Sequence, residues 1–276
     1  MSKQSEDSMS FLQHLEVLRW HLIRSAIAIL IFMVLAFVFK HLVFDVIIFG
    51  PKQPNFITYR FFCEFTQKLG QEGIFCMDKM PFSLINNKMS GQFSTHIWVS
   101  LVAGFILAFP YLLFEVWRFV KPGLYPQERR FSGFLLILAA FLFLAGVLFG
   151  YYLIVPLSVQ FLGGYSVSLE VDNLIDLMSY IMAVSTITLA TGLIFELPVV
   201  VYFLAQNGLI TPQWMKRYRR HAYVLILLLS AIITPPDIAS QILVTIPVAV
   251  LYEVSIGISK RVEKRQQRTM NKASTA

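Results

Sequence analysis

Charged side chains are scarce in this 276-residue chain: Asp, Glu, Lys and Arg make up 14% of it and hydrophobic residues 57%, where a soluble domain holds about 25% and about 45–50%. With a mean hydropathy of +0.66, that excludes a water-soluble globular enzyme. The scarcity is also local. No Asp, Glu, Lys or Arg lies between Arg130 and Glu170, a run of 39 residues, and none between Lys88 and Glu115. Runs of that length belong in a bilayer. His-Glu-x-x-His and Gly-x-Ser-x-Gly are absent, and none of the five histidines (His14, His21, His41, His96, His221) falls deep in an apolar run. Hydrolytic chemistry therefore has neither metal ligands nor an activated nucleophile. Two cysteines with the distant His41 or His96 do not make a closed zinc set, and no metal or cofactor is expected. The net charge of +7 sits in short clusters between apolar runs, which is a membrane-topology signal and not a nucleic-acid footprint.

A spanning helix needs about 20 apolar residues to cross about 30 Å of hydrocarbon. Four segments meet that length with helical flanks: Leu22–Phe39, Phe93–Val116, Phe131–Val155 and Leu177–Ala205. Two further stretches, Ala222–Pro236 and Ile238–Tyr252, have 15 residues each and reach about 22 Å as helices. They read as one re-entrant hairpin or as two short spans that thin the bilayer; the second reading is adopted. The expected fold is all-α and polytopic, with an N-terminal amphipathic helix over 1–21, six spans over 22–258 and a basic tail over 259–276.

Six spans put both termini on one side. Seventeen of the 23 Lys and Arg fall there, in clusters such as Arg118, Lys121, Arg129 and Arg130, or Lys216, Arg217, Arg219 and Arg220. The other six all lie between Lys40 and Lys88. By the positive-inside rule the termini are cytoplasmic. The first apolar stretch does not read as a cleavable signal, being long, containing Arg24 and lacking a small-x-small site. The first external loop, 41–92, holds Pro51, Pro54, Pro81 and both cysteines, Cys63 and Cys76. On the side that is oxidising in a bacterial periplasm, these two are expected to form a disulfide closing the loop.

Individual polar residues then stand out. Phe11, Leu12, Leu15, Leu18 and Leu22 recur at helical intervals before the first span, with His14, Glu16, Arg19 and His21 as the polar residues, as on a helix lying at the membrane surface. Glu16 is also spaced to pair with Arg19 at i,i+3. Glu128 is an acid in a basic loop rich in interfacial aromatics, Trp117, Phe119 and Tyr125. Glu196 lies well inside an apolar helix, where a charged carboxylate costs roughly 2.5–3.5 kcal/mol on insertion scales. It should face protein or water. Gly146 and Gly150 form a GxxxG helix-packing pattern. Pro110, Pro198 and Pro247 are expected to interrupt and bend three spans. In the turn Thr234-Pro235-Pro236-Asp237, the prolines stop one helix and Asp237 can cap the next. Two classes of function fit: a receptor scaffold presenting acids to a basic peptide, and, as the alternative, a proton-coupled small-solute transporter using Glu196. The unequal spans show no paired repeat of the kind transporters use.

Taken in order, these residues resemble the TatC subunit of the twin-arginine protein translocase. The matches are His14-Leu15 with Leu18-Arg19, Val116-Trp117 and Phe119, Pro122 with Leu124-Tyr125, and Glu128-Arg129-Arg130. They continue with Phe195-Glu196 and Pro198, Thr234-Pro235-Pro236-Asp237 with Ser240-Gln241, and Pro247. The resemblance covers about residues 11–258, failing mainly in the first external loop. It implies a concave, glove-like six-helix protein of the bacterial inner membrane that receives folded precursors through two adjacent arginines of their signal peptide. A guanidinium pair calls for carboxylates near a low-dielectric boundary. Glu128 is implied as the main acceptor, with Phe119 packing nearby, and the N-terminal helix, with Glu16 and Arg19, as a second acidic site that this chain either keeps through Glu16 or loses. The family's acid is expected three residues after His14, where this chain has Val17; Glu16 is one place earlier, turned by about 100° on a helix. Implied partners are the signal peptides, the single-span subunits of TatA and TatB type docking near Glu196, Gln241 and the fifth span, and membrane lipid. The working state implied is an oligomeric complex driven by the proton-motive force.

Overall fold

The computed structural model describes residues 11–68, 76, 79–121, 132–168, 173–234 and 238–274. In chain order come α1 (Phe11–Val38), a π-helical segment (Leu42–Ile48), a 3-10 turn (Gly50–Lys52), α2 (Ile57–Lys68), β1 (Ser83–Ile85) and α3 (Gly91–Val120). There follow α4 (Ser132–Phe149), a second π-helical segment (Gly150–Ile154), α5 (Val155–Gly164), β2 (Leu174–Asp176), α6 (Leu177–Ile194), α7 (Leu197–Gln206), α8 (Pro212–Arg217), α9 (Arg219–Ile233) and α10 (Ile238–Ser274). The six apolar runs thus become six helical passages: α1, α3, α4 to α5, α6 to α7, α9 and α10. Five carry apolar stretches of 24 to 30 residues. The fifth passage, α9, has 15, about 22 Å of helix.

Two helices run on past their apolar parts, and two prolines expected to interrupt a span do not. α1 runs unbroken from Phe11 into the first span, because Trp20-His21-Leu22 offers no Gly or Pro to stop propagation. α10 continues for 37 residues, past the end of its apolar part, through a Lys-, Glu-, Arg- and Gln-rich tail of good helix formers. Pro110 and Pro247 lie inside continuous helices, as the surroundings of a membrane helix allow. Only Pro198 accompanies a break. It stands in the first turn of α7, where its missing N–H costs no hydrogen bond.

The chain falls into two compact units, one of Met1–Phe39 and Ser100–Ala140, the other of Lys40–Val99 and Phe141–Ala276. In the first, α1 and α3 approach backbone to backbone. A Cβ on Gly104 would sit 2.6 Å from the Met33 nitrogen and 3.0 Å from the Ile29 carbonyl. Gly104 continues into fully buried Ala108, then Tyr111, Glu115 and Phe119, a spacing of three and four residues that keeps one face of α3.

In the second unit, helix interruptions leave carbonyls without intrahelical donors, and side chains from other elements supply them. The last carbonyls of the first π-helical segment, Ile47 and Ile48, accept from the hydroxyls of Tyr151 (2.7 Å) and Tyr180 (2.8 Å). Pro156 cannot donate to Tyr152 four residues back, and the Thr58 hydroxyl donates to that carbonyl instead. The adjacent Tyr59 hydroxyl lies 2.9 Å from the carbonyls of both Pro51 and Pro156; burial pushes its phenol well above the ordinary tyrosine value. These contacts seat α2 on the end of the third passage. Cys63 and Cys76 are joined with their Cα atoms 5.0 Å apart. β1 and β2 pair in parallel, Ser83 to Ile85 beside Leu174 to Asp176, and Asp176 caps α6 through the N–H groups of Met178 and Ser179. Gly146 and Gly150 face α6: a Cβ on Gly146 would lie 2.6 Å from the Thr191 carbonyl and one on Gly150 3.2 Å from that of Ile187. The GxxxG is the contact line between the third and fourth passages.

Gly104→Val should destabilise the chain by about 1–3 kcal/mol, the usual cost of overpacking; thermal unfolding in detergent is the measurement, and an unchanged midpoint would refute the close approach. In chain purified without reductant, Cys63 and Cys76 should take up alkylating reagent only after reduction, read as a mass shift of two adducts.

Candidate functional site

Glu115 is 2% exposed, and its two oxygens are both engaged. The His21 Nδ1–H of α1 donates to Oε2, and the Tyr111 hydroxyl donates to Oε1 at 2.7 Å. Arg24 and Arg118 act on this cluster as further positive charges. Tyr111, Glu115 and Phe119 are i, i+4 and i+8, hence one stripe of α3. Phe119 therefore falls beside the same histidine: its ring meets that of His21 at 6.0 Å, edge to face. Removing His21 would leave a buried carboxyl oxygen without its donor, at a cost of roughly 1–3 kcal/mol.

On α1, Glu16, Val17 and Arg19 are exposed and His21 is buried. At about 100° per residue, Arg19 lies about 200° from His21, on the opposite side, and Val17 lies one turn below it on nearly the same face. Phe119 and the base of the N-terminal helix are thus brought together, whereas Glu16 and Arg19 point away from their contact. Glu128 and the turn Pro235, Pro236 and Asp237 lie outside the described residues. His21 and Glu115 were not singled out as site residues by the sequence. The signal available was a histidine and a glutamate at the near ends of two apolar runs, each of which has an ordinary interfacial explanation alone.

In the second unit, the break at Phe195-Glu196 places Glu196 between α6 and α7 with 7% exposure. Its backbone carbonyl accepts from Val199 (2.9 Å) and Val200 (3.0 Å), but its carboxyl caps no helix and Oε1 has no hydrogen-bond partner. An unpaired buried carboxyl oxygen among apolar helices is costly. Gln241 donates to the Leu227 carbonyl of α9 at 3.3 Å, tying the fifth passage to the sixth. Ser240, its neighbour, accepts from Ser158 at 2.7 Å. At the other end of α9, Arg219 and Tyr223 each donate to Glu253 at 2.6 Å, and Tyr252 donates to the Met215 carbonyl at 2.8 Å. The Lys260 side chain close beside Lys216, with its positive charge, holds the Lys216 ammonium below the ordinary lysine value.

A cavity of about 540 Å³ opens where the second passage begins, lined by Lys40, His41, Phe44, Asp45, Phe93 and His96 among others. His41 is bonded to Asp45 at 2.8 Å. Among the described residues no three His, Cys, Asp or Glu are grouped to hold a metal ion.

The family model for TatC, the Sec-independent protein translocase protein, matches residues 13–247. The chain is 38% identical over 271 residues to the Sec-independent protein translocase protein TatC of a Blattabacterium species, covering 96% of this chain and all of that one. It is 34% identical to the TatC of Aquifex aeolicus, over 94% of this chain and 98% of that protein. Its structure is similar to a crystal structure of a twin arginine translocase receptor, TatC, with a TM-score of 0.70 and 33% identity over 91% of this chain and 99% of the other. A multi-pass membrane protein of six helical passages, this chain belongs to the TatC family of Sec-independent protein translocase proteins.

Proposed function

We propose that this chain is the receptor and core subunit of a twin-arginine translocase in a bacterial inner membrane, with both termini in the cytoplasm. The observation that carries the reading is its likeness, at 33% identity over 91% of its length, to a solved twin arginine translocase receptor. The excess of Lys and Arg on the side of the termini supports the orientation. In this reading the receptor face lies where α1 enters the membrane and α3 leaves it. Glu128 accepts the two guanidinium groups of the signal peptide, favourably so because paired charge-assisted bonds strengthen at a partly desolvated boundary. Phe119, held against His21, packs the peptide beside them, and Glu16 and Arg19 on the exposed side of α1 extend the site. Here Val17 replaces the acid expected on the His21 side, so Glu16 contributes from a position turned by about 100° and contributes less.

The unpaired carboxyl of Glu196 and the fifth passage, with Gln241 and the turn Pro235-Pro236-Asp237, serve the docking of single-span subunits of TatA and TatB type into an oligomeric complex. Transport then draws on the proton-motive force, with no bond made or broken by this chain.

Glu128→Gln should abolish binding of an Arg-Arg signal peptide to the detergent-solubilised chain with its thermal midpoint kept, and Glu16→Gln should weaken it less; full binding by Glu128→Gln would overturn the assignment. Glu196→Ala should insert normally yet impair export and co-purification of single-span partners. Unaltered export would return Glu196 to a packing role.

A further inference from the structure

The His21–Glu115 pair sits where stability alone does not require it. Gly104 and Ala108 already bring α1 and α3 into backbone contact further along the same stripe. Replacing a buried ion pair by apolar residues of like volume is often neutral or stabilising. What a buried hydrogen-bonded pair adds over an apolar contact is a fixed register, since only one rotation and one height bring donor to acceptor. Here the acceptor is fixed in turn, because the Tyr111 hydroxyl holds the other carboxyl oxygen at 2.7 Å.

Two consequences follow from position. Beyond His21, α1 continues for ten residues, Phe11 to Trp20, in the same unbroken helix, an arm of about 15 Å. Leu15, Glu16, Val17, Arg19 and Trp20 of that arm are all exposed. A slip of one residue at His21 would swing every one of them by about 100°. On the other side, Phe119 is one turn beyond Glu115 and its ring abuts His21.

We propose that His21 and Glu115 form a clasp that sets the arm of α1 in register with Phe119, making them positioning residues for the signal-peptide site; this rests on the receptor reading above. The two halves of that site belong to different helices, and the clasp is the polar bond that aligns them. Arg24 on α1 acts on Glu115 as a further positive charge, and as a cation it cannot substitute for Glu115 as acceptor.

The test uses the full chain in detergent with a synthetic Arg-Arg signal peptide, and spin labels at Leu15→Cys and Val116→Cys report the arm. Glu115→Gln and His21→Gln should each weaken peptide binding about tenfold, within the coupling usual for members of one hydrogen-bond network, and should broaden the distance distribution between labels. Tyr111→Phe, which leaves the pair intact and frees one carboxyl oxygen, should act in the same direction by about threefold. The exchanged variant, His21→Glu with Glu115→His, should recover binding and a narrow distribution, which a purely packing role would not produce. Wild-type binding by both Gln variants, or a label distance unchanged in them, would overturn the clasp, as would failure of the exchanged variant to recover either readout while it stays folded. Should the wild-type chain itself not bind the peptide, the receptor reading fails, and the label distances still decide whether the pair fixes the arm.

Discussion

Hydrocarbon offers no hydrogen bonds, so each polar group carried into it must find its partner inside the protein. Burial inside the protein imposes the same demand on backbone carbonyls wherever a helix is interrupted. Where Pro156 cannot donate to Tyr152, Thr58 donates instead, and where the π-helical segment over Leu42–Ile48 ends, tyrosines from two other passages bond its final carbonyls. The Thr58 bond, with those of the neighbouring Tyr59, also seats α2 against the third passage.

The constraint also sorts the acids. Glu115 has both oxygens bonded, and Glu253 accepts from Arg219 and Tyr223; these carboxylates join helices. Glu196, by contrast, is buried with an oxygen left over. Burying an unsatisfied polar atom costs of order 1–3 kcal/mol. Among the described residues, the contrast is between carboxylates that join helices and one with an oxygen its own helices leave unbonded.

Much of the organisation was legible residue by residue. Apolar runs without charge located the passages, because burial in lipid admits little else, and the lone carboxyl at Glu196 was conspicuous for the same reason. Gly146 and Gly150 were a weak pattern in sequence, yet they form the contact between the third and fourth passages. That α1 runs unbroken through Trp20-His21 and that α10 extends far into the basic tail came from the structure, since hydrophobicity reports where lipid ends and says nothing about where backbone hydrogen bonding stops. Proline was over-read: two of three lie within unbroken helices, and the difference at Pro198 is its place in the first turn of α7.

Sequence alone determined the membrane class, the number of passages, the charge asymmetry of their connections and, through a scattered set of motif residues, the family. All of these depend on composition along the chain, which a one-dimensional reading preserves. Tertiary structure alone decided that His21 meets Glu115 across 94 residues of separation, that Phe119 packs on that histidine, and that Glu16 and Arg19 face away from it. Those facts depend on the rotation of one helix against another, and that rotation is set by the close approach at Gly104 together with a short-range bond between two side chains.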